Sequence, residues 1–163
     1  MLFVIGPAFL VGLFPIIAIE SAWLCWKLKL RFASTSGAVS LANFVSTIVG
    51  IPATWFVLVL LQLITGGGSA AGVGVLAVTW QAAWLIPYEG SLHWMIPAAA
   101  IFLNIPFFLV SAFVEQKIVV RTLADVDPQQ VRRRVIQANA ATYALMSLFW
   151  LGILGRALVY GRL

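Results

Sequence analysis

The sequence predicts an all-α integral membrane protein whose four transmembrane helices form two repeated helical hairpins. Hydrophobic residues make up 63% of the 163 residues and charged residues only 9%, whereas a soluble domain averages roughly 45–50% apolar and roughly 25% charged residues. So few charges cannot cover the surface of a water-soluble fold of this size. Seven Trp, three Tyr and eleven Phe residues suit a membrane protein, because aromatic rings settle at the membrane interfaces.

Four apolar segments are long enough to cross a bilayer, whose hydrocarbon core needs about 20 residues of helix. We expect the spans at Leu2–Trp26, Ala38–Ile64, Trp94–Val114 and Gln137–Val159. The chain, residues 1–163, then forms a single membrane domain with hairpin 1 at about 2–64, an outer loop at 65–93 and hairpin 2 at about 94–160. The first segment lacks the basic start and the cleavage site of a signal peptide, so we interpret it as a retained span.

The basic residues predict the orientation of these spans. Three lie between the first two spans and five between the last two: Lys27, Lys29, Arg31, Lys117, Arg121, Arg132, Arg133 and Arg134. Residues 65–96 contain no Lys or Arg. Because basic loops stay in the cytoplasm, we expect both turns inside and both termini outside a bacterial cytoplasmic (inner) membrane. Arg156 and Arg162 are exceptions near the outer end of the fourth span.

A fifth apolar stretch, Ala70–Pro87, is Gly-rich at its start. Counting it as a span would place the second basic loop outside, against the charge rule. We therefore predict a re-entrant or interfacial segment on the outer face at about 70–87.

The two halves carry the same polar pair. Asn43 follows Glu20 by 23 residues, and Asn139 follows Glu115 by 24. Asp127, the midpoint of the second pair, lies beside Pro128 in the predicted turn Ala-Asp-Val-Asp-Pro. Each partner therefore lies 12 residues, about 18 Å of helix, from that turn. The spacing predicts that the Glu and the Asn of each hairpin face each other near the cytoplasmic membrane boundary. Such a pair is either a helix–helix clamp or a proton or cation site, and the duplication favours the clamp.

A row of small residues lies at every fourth position of the second span, which lets another helix approach closely. Its members are Ala38, Ala42, Ser46, Gly50 and Thr54. The row packs either within this chain or against another subunit. Asn104, inside the third span, is interpreted as a packing hydrogen bond.

Two groups of residues are candidates for lipid or partner contact. One is the outer aromatic group with Trp80 and Trp84, which is typical of headgroup anchoring and, alternatively, of a lipid, quinone or pigment pocket. The other is the run Arg132, Arg133 and Arg134, which suits cytoplasmic orientation or anionic lipid. Nucleic acid is not an expected partner, since this run adjoins a span. His93 is the single histidine, a weak signal for haem or pigment, so we expect no cofactor and no metal.

The first hairpin, IAIESAWLCWKLKLRFASTSGAVSLANFVSTIVGIPATW, resembles small bacterial multi-pass membrane proteins. They share a first span that ends in Glu and a second that opens with Asn, Ser-Thr and then Gly. It is also similar to the first hairpin of the cyanobacterial filament-integrity protein FraC, a septal-junction component. The resemblance covers Ile17–Trp55 and implies the helical-hairpin architecture.

Three function classes follow from these features. The leading hypothesis is a non-enzymatic membrane subunit or scaffold of a larger complex or homo-oligomer, because the chain is small and its hairpins are regular. The alternatives are a channel or transporter component that uses the Glu/Asn pairs, and a lipid- or quinone-linked enzyme subunit. The sequence contains no Walker A, GxSxG or HExxH motif, which weakens the enzyme hypothesis.

Overall fold

The computed structural model describes residues 2–64 and 92–160. These residues form four helices and no strand. The helices are α1, Leu2–Leu28; α2, Phe32–Ile64; α3, Leu92–Thr122; and α4, Pro128–Tyr160. Three of them contain segments long and apolar enough to cross a membrane: Phe32–Val57, Pro97–Thr122 and Pro128–Val159. The all-helical prediction is therefore confirmed for the described residues.

Three of the helices extend beyond the spans predicted from hydropathy. α2 begins at Phe32 rather than Ala38, α3 continues to Thr122 beyond Val114, and α4 begins at Pro128. Hydropathy marks only the part of a helix that is apolar on all sides. The added turns are amphipathic, with one buried side and one polar side, so a hydropathy window does not include them.

Short turns join the helices of each hairpin. Lys29, directly after α1, has a left-handed backbone (φ 55°), a common way to end a helix. Before α4, the Asp127 carboxylate accepts hydrogen bonds from the backbone N–H groups of Gln129 and Gln130 at 3.3 and 3.2 Å. Asp at the N-cap followed by Pro128 at the first helical position is a strong start signal. The predicted Asp-Pro turn is thus present.

The four helices pack in a ring. α1 contacts α2 and α4, and α3 contacts the same two helices. Helices α1 and α3 therefore occupy opposite corners, and each lies beside both α2 and α4. This arrangement lets a side chain from α1 or α3 reach both hairpins.

The buried apolar core lies at the end of the ring that carries the two turns. Matching positions of the two halves are buried equally: Leu24 and Val119 are each 1% exposed, and Val39 and Val135 are each 2% exposed. On the second hairpin the residues exposed around this core are mostly polar or charged, whereas the first hairpin also exposes Trp26, Phe32 and Leu41. The second hairpin's part of this end therefore resembles a water-soluble helical bundle.

Farther from the turns, large apolar side chains point outward. This apolar belt includes Phe44, Ile48, Phe56, Leu109, Phe113, Leu145, Leu148 and Phe149. Exposed apolar surface this extensive is rare on soluble monomers, whereas acyl chains are a suitable environment for it. Along its length the bundle thus changes from a buried apolar core to an exposed apolar belt.

The small-residue row of α2 is buried within the chain. Ala38, Ala42, Ser46 and Thr54 are at most 3% exposed, and a Cβ added at Gly50 would lie 3.5 Å from the ring of Phe107 on α3. These side chains leave no exposed surface for a separate subunit. The row is an internal packing face, the first of the two alternatives given above.

The outer loop at 65–93 and the segment Ala70–Pro87, including Trp80 and Trp84, lie outside the described residues. His93 is in the first turn of α3, but its side chain also lies outside the description.

Candidate functional site

The Glu–Asn contact expected from the spacing is present in each hairpin. Asn43 Nδ2 donates to Glu20 Oε2 over 2.7 Å, and Asn139 Nδ2 donates to Glu115 Oε2 over 2.8 Å. All four side chains are buried, with at most 4% exposure. The contact joins α1 to α2 in the first half and α3 to α4 in the second.

The second oxygen of each carboxyl group is bound by a hydroxyl of the other hairpin. Thr142 Oγ1 on α4 lies 2.9 Å from Glu20 Oε1, and Ser46 Oγ on α2 lies 2.7 Å from Glu115 Oε1. Each glutamate therefore contacts an amide of its own hairpin and a hydroxyl of the opposite one. These six side chains, Glu20, Asn43, Ser46, Glu115, Asn139 and Thr142, are called the crossed network below.

The helical repeat explains why each donor helix supplies an amide and a hydroxyl. Ser46 follows Asn43 by three residues and Thr142 follows Asn139 by three, so each pair lies one turn apart on one helix face. From that face the Asn reaches the neighbouring helix on one side and the hydroxyl reaches the helix on the other side. The sequence pattern Asn-x-x-Ser/Thr thus encodes the crossing.

The local bonding of the two donor faces also matches. Each Asn uses its second amide hydrogen on the carbonyl four residues earlier, Val39 O at 3.1 Å and Val135 O at 3.2 Å. Each hydroxyl lies within 3.0 Å of the carbonyl oxygen of its own Asn. The two halves of the network thus share these contacts, and Thr142 makes an additional one to Ala138 O at 3.2 Å.

The carboxyl groups receive no cation from the part of the chain that the structure describes: the groups found around them are neutral amides and hydroxyls. The nearest lysines in sequence turn to aromatic rings, with Lys27 Nζ 3.4 Å from the Trp26 ring centroid and Lys117 Nζ 3.7 Å from that of Phe113. Two carboxyl groups thus share one buried site without a basic partner, which is costly if both are charged.

Other buried polar atoms lack a partner in the described region. Asn139 Oδ1 is the one that belongs to the crossed network, and Ser21 Oγ, adjacent in sequence to Glu20, is another. Among the described residues no group of three His, Cys, Asp or Glu side chains suits a metal ion. The network is therefore rich in hydrogen-bond acceptors and is built of carboxyl, amide and hydroxyl groups.

The second hairpin continues the polar contacts away from its turn, and these contacts are called the polar ladder. Ser111 Oγ lies 2.9 Å from Tyr143 OH, and Asn104 Nδ2 donates to Ser147 Oγ over 3.0 Å. Asn104 precedes Glu115 by 11 residues, about 16 Å along α3. The hydrogen bond expected of Asn104 is thus present.

Three of the four ladder positions are apolar in the sequence of the first hairpin, and the position of Tyr143 is taken by Thr47. The positions that correspond to Asn104, Ser111 and Ser147 are Phe9, Ile16 and Ile51. The crossed network is therefore common to both hairpins, and the polar ladder is specific to the second hairpin.

The predicted lipid- or partner-contact arginines lie near the α3–α4 turn. Arg132 and Arg133 are exposed, whereas Arg134 donates to Gln137 Oε1 over 2.9 Å. Thr142 was not singled out by the sequence reasoning and Ser46 was assigned only to packing. The sequence feature that could have identified Ser46 and Thr142 is a hydroxyl residue three positions after each Asn.

No protein family, curated protein or solved structure matches this chain.

Thr142→Val tests the contribution of the crossed contact. We expect it to lower the free energy of unfolding by about 0.6–1.7 kcal/mol, the range for hydrogen bonds between membrane helices. Thr47→Val is the matched control, because Thr47 Oγ1 donates to Asn43 O within its own helix over 2.8 Å and should change stability by less than about 0.5 kcal/mol. Unfolding of the purified protein in mixed micelles measures both. Equal effects of the two substitutions would contradict a stabilising crossed contact.

Proposed function

We propose that this protein is a non-enzymatic membrane subunit or scaffold with four transmembrane helices in two equivalent hairpins. The observation that carries the proposal is the closed crossed network. All four carboxyl oxygens already have a hydrogen-bond partner from the chain, so the network is organised to hold helices together rather than to receive a substrate.

The proposed orientation places the two basic turns in the cytoplasm and both termini outside a bacterial inner membrane. α1 supplies the fourth span, since its 27 residues are long enough to cross the hydrocarbon core. The apolar belt would then contact acyl chains or neighbouring membrane helices, and the soluble-like core would project into the cytoplasm. The exposed arginines Arg132 and Arg133 would face anionic headgroups or a partner. The likeness of residues 17–55 to small bacterial membrane proteins agrees with this architecture.

Contacts with other subunits would use the belt, because the small-residue row is covered within the chain. The belt spans both hairpins, with Phe44 on α2 and Phe149 on α4. Its shape therefore depends on how the hairpins are joined.

Native mass spectrometry after purification in mild detergent tests the subunit hypothesis. We expect the chain to be bound to another membrane protein or to copies of itself. Thr142→Val should reduce the bound fraction, because it loosens one hairpin from the other, and Thr47→Val should leave that fraction unchanged. A wild-type protein that is purely monomeric, with no bound protein, would sink the subunit hypothesis.

A second candidate function, proton or cation conduction, is favoured by the polar ladder. Its two rungs extend from Glu115 along the α3–α4 interface, and intramembrane ionisable groups with polar neighbours often mark ion paths. The absence of these rung residues from the sequence of the first half fits a task performed by one hairpin only.

Reconstituted proteoliposomes test this candidate. Wild-type protein should carry proton or cation flux, Glu115→Gln should abolish it, and Asn104→Leu should reduce it by breaking the outer rung. Asp125→Asn is the matched control, since Asp125 is an exposed acid in the turn. Wild-type flux no greater than that of empty liposomes would eliminate conduction and leave the scaffold proposal intact.

A further inference from the structure

We infer that the crossed network binds exchangeable protons on Glu20 and Glu115, with Ser46 and Thr142 acting as reversible hydrogen-bond relays. The ligand is the proton itself, taken from water. Binding can be measured whether or not ions cross the membrane, so the inference does not depend on either proposed function.

The burial of two acids in one site without a basic partner among the described residues carries the inference, and a count of hydrogens shows where added protons would fit. The two Asn amides use all of their hydrogens, because each donates once to a carboxyl oxygen and once to a backbone carbonyl. A hydroxyl has a single hydrogen and two acceptor sites. Yet Ser46 Oγ lies near two acceptor oxygens, Glu115 Oε1 at 2.7 Å and Asn43 O at 3.0 Å. Ser46 can share its one hydrogen between them or give it to one, and Asn43 O also accepts from Thr47 Oγ1 at 2.8 Å. A proton on Glu115 Oε1 would let Ser46 accept from the acid and donate to the carbonyl.

The other half has a similar arrangement. Thr142 Oγ1 lies 2.9 Å from Glu20 Oε1, 2.9 Å from Asn139 O and 3.2 Å from Ala138 O. One added proton on each carboxyl group would give the carboxyl–hydroxyl contact a hydrogen of its own. Each Glu O–H then donates to the hydroxyl, and the hydroxyl donates to the carbonyl of its own helix. The short contact at Ser46 has the usual length of an O–H···O hydrogen bond.

The relay can work in both directions without moving a heavy atom. When a proton leaves the carboxyl oxygen, the hydroxyl rotates its hydrogen from the backbone carbonyl to the carboxylate. When a proton returns to the carboxylate oxygen, a new O–H bond forms and the hydroxyl turns back to the carbonyl. Both states keep the carboxyl–hydroxyl contact, so the helices stay joined through the cycle.

The surroundings of the two carboxyl groups favour this exchange. Glu20 on α1 faces Asn43 on α2, Thr142 on α4 and, across the site, the other acid Glu115 on α3. A further titratable group is Tyr143 on α4, which is bonded to Ser111. Of the basic residues on the same two helices, Lys27 and Lys117 are held over aromatic rings, and Arg121 is exposed in the last turn of α3. Neutral donors without a basic partner leave protons to balance the buried charge.

Infrared spectroscopy of the full-length protein in lipid vesicles at neutral pH tests the inference. A protonated carboxyl group has a C=O band separate from the carboxylate bands. We expect wild-type protein to show this acid band and to shift it in D₂O. Glu20→Gln and Glu115→Gln should each remove about half of the band, since each removes one of two equivalent acids. Asp125→Asn should leave it unchanged.

The hydroxyl variants keep the test valid if a glutamate variant does not fold. Ser46→Ala should retain the acid band but move it to higher frequency, because the Glu115 O–H loses its acceptor. Thr47→Ala is the matched control, since the Thr47 hydroxyl donates to the same Asn43 carbonyl within its own helix. The acid band of this variant should keep the wild-type frequency. A wild-type spectrum with carboxylate bands alone would overturn proton binding. An acid band that Ser46→Ala leaves unshifted would overturn the relay.

Discussion

Burial of two carboxyl groups is the constraint on which the arrangement of the helices depends. A carboxyl group removed from water needs hydrogen-bond partners of good geometry. Here each carboxyl group has two, one from its own hairpin and one from the opposite hairpin. Sliding one helix by a turn, or rotating one hairpin against the other, would leave an acid without a partner. The network therefore specifies register and pairing as well as stability.

The network lies between two parts of the bundle that are built differently. Glu20 lies eight residues before the end of α1 and Glu115 seven before the end of α3, about 10–12 Å of helix from the turns. Below this level the ring has a buried apolar core, with a mostly polar exterior on the second hairpin, and above it the exterior is apolar. Between these two parts, buried hydrogen bonds join the helices. The crossed network lies at the level where the buried core gives way to the apolar belt.

Much of the structure within each hairpin could be predicted from the sequence. Little of the contact between the two hairpins could be predicted. The spacing from Glu115 to Asn139 about the Asp127–Pro128 turn fixes a common depth on adjacent antiparallel helices, which is why the Glu–Asn contacts could be foreseen. Thr142 reaches Glu20 across 122 residues, and no local spacing specifies how two hairpins dock. The spans predicted at Ala38 and Gln137 begin inside helices that start at Phe32 and Pro128, although the spacing of the polar pair already assumed helix up to the Asp127 turn. Hydropathy does not detect amphipathic turns that are buried by a distant helix.

The duplicated network is best understood as the framework, and the unduplicated ladder as the feature that distinguishes one hairpin.

A double-mutant cycle on the contact between Ser46 and Glu115 tests most directly whether the network joins the hairpins. The free energy of unfolding is measured for wild type, Ser46→Ala, Glu115→Ala and the double variant, with Thr47→Ala in place of Ser46→Ala as the control cycle. The account predicts a coupling energy of about 0.6–1.7 kcal/mol for Ser46 and essentially none for Thr47. Equal coupling in both cycles, or none in either, would contradict it.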